Sequence, residues 1–159
     1  MKYLTTKDIT IAAVLAALYA ILVFTFNPIS FLVFQIRIAN VLIGLVPILG
    51  LPAVIGISLG VLVANVFSPL GFIDLISSFF SFISLYIIWK LRRVSVFLGL
   101  SIYSVILGAW VSFMISYVFN VSYLPTFVYV TIGIFIATSV LGYLLYKAVE
   151  KIIPKGWRR

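Results

Sequence analysis

Between Ile9 and Trp89 the only formally charged residues are Arg37 and Asp74. Each borders an apolar run, with amides close by at Gln35, Asn40 and Asn65. At membrane depth such groups are costly, so they are usually paired, face a cavity or serve a function. A carboxylate at Asp74 could accept two parallel hydrogen bonds from an amidine-like edge, such as the N1–H and 2-amino group of guanine. Two plainer readings compete: an outer-face ion pair or snorkelling arginine, and Asp74 as an N-cap. A cation at the start of a helix opposes the helix dipole, which argues that something holds Arg37 there. Trp110, Tyr117 and Tyr123 join the set because ring faces stack on planar bases while amides read their donor–acceptor edges. Aromatics such as Tyr117 and Tyr123 are more often belt residues at a membrane interface; Trp110 sits deeper and is the better cavity candidate.

The solvent around these groups is lipid. Of 159 residues 65% are hydrophobic and only 9% charged, and the mean hydropathy is +1.33. A soluble domain of this length cannot hide so much apolar surface. With no cysteine or histidine, disulfides, thiolate nucleophiles and the usual zinc sites are excluded, and neither a metal nor a cofactor is expected. The three acids, Asp8, Asp74 and Glu150, are too few and too scattered for a paired-carboxylate hydrolase or a carboxylate metal centre. The net charge of +8 reflects basic residues flanking apolar spans, which membrane orientation explains better than nucleic acid does.

Six helices must position the polar set, in one integral membrane domain covering residues 1–159. The basic N-terminus leads into an apolar run too long for a signal peptide and without a convincing cleavage site, so it reads as a retained helix. Thr5-Thr6-Lys7-Asp8 supplies its start. The expected spans are about 9–26, 36–49, 52–67, 72–89, 95–119 and 125–146. Breaks fall at Asn27-Pro28, Gly50-Leu51-Pro52, Ser68-Pro69-Leu70-Gly71, Lys90-Leu91-Arg92-Arg93 and Asn120 to Pro125. The second and third are short for full spans, so a re-entrant hairpin competes there, and Pro47 is a candidate kink. With both termini inside, every basic residue except Arg37 lies on the inner side, as the positive-inside rule requires. Gln35, Arg37, Asn65 and Asp74 then gather at the outer face, around an outward-facing pocket.

Helix 1 also carries small residues at Ala12, Ala13, Ala16, Ala17 and Ala20. Four-residue spacing makes a flat stripe that another helix can approach closely, within this bundle or on another subunit. Gly56-xxx-Gly60 is a second stripe, read as internal packing. A homo-oligomeric channel or a structural assembly protein is the rival reading. A channel needs a continuous polar path, and the Ser and Thr here can be satisfied by their own helix backbone.

The stretches Phe34-Gln35-Ile36-Arg37-Ile38-Ala39-Asn40-Val41-Leu42 and Ala64-Asn65-Val66-Phe67-Ser68-Pro69-Leu70-Gly71-Phe72-Ile73-Asp74 resemble the queuosine-precursor transporter (QueT) family. That pattern is roughly Gln-x-Arg-x-x-Glu-x-Leu, then Ala-Asn-x-x-Ser-Pro-x-Gly-x-x-Asp. The resemblance implies the substrate-binding S-component of an energy-coupling factor (ECF) importer. Such a protein takes a 7-deazaguanine-type solute at its outer face and docks its helix 1 stripe on a coupling transmembrane subunit. Two partner ATPase subunits supply the energy; this chain has no Gly-xxxx-Gly-Lys-Ser/Thr phosphate loop of its own. Asn40 stands where the family pattern has Glu, which points to a neutral, nitrile-bearing ligand over an ammonium-bearing one.

Overall fold

Thr5 opens the first helix with a reciprocal cap. Its backbone N–H donates to the Asp8 carboxylate at 2.9 Å, and its hydroxyl oxygen accepts from the Asp8 N–H. This satisfies two of the donors a helix start leaves without intrahelical partners. The computed structural model describes residues 5–26, 37–68 and 70–154. Gln35, Pro28, Pro69 and the link at 29–34 lie outside the described residues.

Among the described residues six helices follow in order: α1 (Thr6–Thr25), α2 (Ile38–Leu49), α3 (Leu51–Val66), α4 (Gly71–Leu91), α5 (Val96–Phe119) and α6 (Tyr123–Ile152). No strand occurs among the described residues. α1, α4, α5 and α6 are long and apolar enough to cross a membrane, while α2 and α3 are shorter. α2 is a 3₁₀ helix over Ile38–Leu45 and α-helical only over Val46–Leu49. A 3₁₀ stretch rises about 2.0 Å per residue against 1.5 Å for an α-helix, so these twelve residues reach about as far as the sixteen of α3. Pro47 sits in the first turn of the short α piece, where its missing N–H costs no hydrogen bond.

The helices close into a ring, in the spatial order α1, α3, α4, α5, α6, α2 and back to α1. Glycines permit its closest contacts. A Cβ at Gly56 would run into the Ala12 backbone of α1, and one at Gly60 would lie 2.7 Å from Tyr19 Cβ and 2.9 Å from the Ala16 carbonyl. Gly56-xxx-Gly60 therefore receives α1, as its spacing suggests. α2 meets α6 just as tightly, since a Cβ at Gly44 would overlap the Gly142 carbonyl. Immediately before Gly142, α6 widens to a π-helix over Ile136–Leu141. Gly50, between α2 and α3, adopts φ 69° and ψ −144°, a combination essentially reserved for glycine.

The expected boundaries fall within three residues of the observed ones, except that α6 continues to Ile152. Its extra turns are amphipathic: Lys147 pairs with Glu150 at 3.6 Å, and the Tyr146 hydroxyl donates to Glu150 at 2.7 Å. Outside the ring, large apolar side chains such as Ile21, Phe79, Phe113, Val128 and Leu144 are exposed. Inside, the hydroxyls of Ser84, Ser104 and Thr126 donate to carbonyls one turn back, at 2.8, 3.0 and 2.8 Å, so a hydroxyl need not line a polar path.

Candidate functional site

Arg37 caps the N-terminal end of α2 in an extended conformation, with no side-chain cap of its own. Its side chain is buried and turns toward α3 and α4. Nη1 donates to Asn65 Oδ1 at 3.0 Å, and Nη2 pairs with Asp74 Oδ2 at 3.3 Å. Asn65 Nδ2 donates to the Asp74 carbonyl at 2.9 Å and reaches Asp74 Oδ1 at 3.4 Å. An amide is suited to this place because one end accepts from a cation while the other donates to the acidic residue. The Ser77 hydroxyl donates to Asp74 Oδ1 at 2.6 Å and accepts from Trp110 Nε1 at 3.0 Å. Trp110 is fixed in turn by stacking on Phe80, with ring centroids 4.4 Å apart.

One network thus ties α2, α3, α4 and α5 together around a fully buried carboxylate. Asp74 makes no side-chain cap to its own helix. Its oxygens are turned to Arg37, Asn65 and Ser77, so it is held as the inner anchor of an ion pair.

Beside this frame lies a cavity, with polar walls formed by Tyr19, Arg37, Asn40, Ser77, Ser81 and Tyr103. Its apolar walls come from Val61, Leu107, Val111 and Ile134. The Tyr19 hydroxyl donates to Asn40 Oδ1 at 2.7 Å, and the Ser81 and Tyr103 hydroxyls share a hydrogen bond of 3.0 Å. Space for the centres of water-sized molecules amounts to about 20 Å³, which holds a water or two. A bicyclic base would have to displace side chains to enter.

Of the residues singled out in the sequence, Arg37 and Asn40 reach the cavity wall. Asn65, Asp74 and Trp110 form the frame behind it. Tyr117 and Tyr123 are exposed on the bundle surface and are not among the residues lining the cavity. The alanine stripe divides: Ala12 and Ala16 face the glycines of α3, Ala20 is buried, and Ala13 and Ala17 are exposed. Tyr19, Ser77, Ser81 and Tyr103 were not anticipated. Ser77-xxx-Ser81 has one-face spacing that could have marked a hydroxyl row on α4, whereas Tyr19 and Tyr103 carry no sequence signal that separates them from packing aromatics.

The family model of the QueT transporter matches residues 9–151. The chain belongs to the QueT transporter family. No curated protein and no solved structure matches it. Membership establishes a membrane transporter, so the QueT-type motif residues Arg37, Asn65 and Asp74, joined by the network just described, belong to a protein that moves a solute. It also sets aside the purely structural assembly reading.

Proposed function

We propose that the chain is the substrate-binding S-component of an ECF-type importer in the cell membrane, taking up a 7-deazaguanine-type base. In this reading it is a multi-pass protein of six spans, with both termini inside and the cavity near the outer face. The observation that carries it is the cavity itself. In a bundle of predominantly apolar helices, the walls bring a guanidinium, an amide and four hydroxyls together with the aliphatic side chains of Val61, Leu107, Val111 and Ile134. A few convergent polar groups on an apolar wall are what a small-molecule site requires. Aliphatic walls accept the faces of a planar base, and the polar groups read its edge.

The lysines and arginines support the orientation, since ten of the eleven fall on the side that would be inside. Capture comes first: the ligand enters from outside and rearranges the contracted cavity around itself. The loaded protein then docks on a coupling transmembrane subunit, and two ATPase subunits drive its reorientation and release inside. For docking, the exposed Ala13 and Ala17 face is the part of the α1 stripe left open once Ala12 and Ala16 have packed on α3. The test is saturable binding of a 7-deazaguanine base to the purified chain. Absence of binding by folded protein would remove this reading.

A further inference from the structure

The cavity wall has a direction of polarity. Its one carboxylate neighbour, Asp74, is fully buried and turned to Arg37, Asn65 and Ser77, and it does not line the cavity. Arg37 does line it, and a guanidinium has donors only. Asn40 is ambivalent by nature, with an acceptor oxygen and a donor NH2, and its contacts decide which one a ligand meets. Its oxygen already accepts from the Tyr19 hydroxyl at 2.7 Å. The Tyr19 side chain lines the same cavity as Arg37. Because Arg37 cannot accept, the phenol's proton is best used toward Asn40. The amide is thereby held with its NH2 as the end left for a ligand.

We propose that Tyr19 is the positioning residue that sets ligand polarity in this site, by locking Asn40 as a donor. The cavity then reads a hydrogen-bond acceptor on the ligand edge, such as a carbonyl or a nitrile, and disfavours an ammonium at the same place. The inference rests on the S-component reading above and adds the class of substituent accepted. A 7-cyano-7-deazaguanine presents its 6-carbonyl and its nitrile side by side, two acceptors facing two sources of donors. A 7-aminomethyl-7-deazaguanine places a cation there, against the Arg37 guanidinium and the Asn40 NH2.

The experiment is competition binding of these two bases to the full chain in detergent at pH 7. The natural protein should favour the cyano base at least tenfold. Tyr19→Phe frees the amide to turn its oxygen to the cavity, and the ratio should fall to threefold or less. Asn40→Asp, which swaps the NH2 for an oxygen of the same size, should reverse the preference and provides the test should Tyr19→Phe fold poorly. A Tyr19 that only packs would lower both affinities alike and leave the ratio intact, which overturns the proposal. An aminomethyl preference in the natural protein, or an Asn40→Asp that keeps the cyano preference, overturns it as well. Binding of both bases without preference removes this inference alone. Binding of neither removes the deazaguanine reading and this inference with it.

Discussion

Replacing Asp74 by asparagine should destabilise the protein more than any other isosteric change in the chain. The substitution preserves shape and keeps one oxygen for the Ser77 hydroxyl, 2.6 Å away. What it removes is the charge facing Arg37 Nη2 at 3.3 Å. The carboxylate is fully buried and the arginine side chain nearly so, at 9% exposure, and water cannot take over the partner's role. Breaking a buried pair from one side costs about 3–5 kcal/mol, because an uncompensated charge remains. At roughly 2–4 °C per kcal/mol for a chain of this size, melting in detergent should fall by about 6–20 °C. Arg37→Gln should behave similarly, since it leaves the carboxylate alone. The double variant leaves neither charge, so its loss should undercut the sum of the singles by about 1–3 kcal/mol. A thermal unfolding series on the four proteins measures all of this. An Asp74→Asn within 1 kcal/mol of the natural protein, or strict additivity, would refute the buried-pair account.

Gly44→Ala should separate α2 from α6, because the added methyl overlaps the Gly142 carbonyl. The expected loss is about 1–3 kcal/mol, read from the same melts. Ala17→Trp, on the exposed face of α1, should leave melting and ligand binding unchanged while abolishing co-purification with a coupling subunit; retained co-purification would remove that face from the docking proposal.

Much of the frame was legible because charges and amides stand out in an apolar chain. Arg37, Asn65 and Asp74 are costly to leave unpaired in an apolar chain, and they pair with one another. The breaks were equally plain: Gly50 takes a backbone conformation open to glycine, and Asn120 ends α5 in the left-handed region. What the sequence did not show was which side of each polar group faces the cavity. Asp74 read as a ligand-facing acceptor, yet Asn65 and Ser77 hold its Oδ1, and Arg37 its Oδ2, toward the frame. That arrangement joins residues of α2, α3 and α4 that lie 9 to 37 positions apart in the chain. Tyr19 and Tyr103 acquire their roles only when α1 and α5 bring their hydroxyls to Asn40 and Ser81. The alanine stripe was visible, but small residues four apart suit any close partner, and α3 already takes Ala12 and Ala16. Hydropathy ended α6 too early because a helix leaving the membrane can continue on charged, amphipathic turns.

The cavity walled by Tyr19, Arg37 and Asn40 is proposed to bind a 7-deazaguanine-type base. Calorimetric titration of 7-cyano-7-deazaguanine into the purified chain, paired with its thermal melt, tests it most directly. Saturable binding at one site per chain is expected, with a stabilisation of about 2.7 kcal/mol at one hundred times the dissociation constant. No heat and no shift in melting, from protein that is folded and monodisperse, would contradict it.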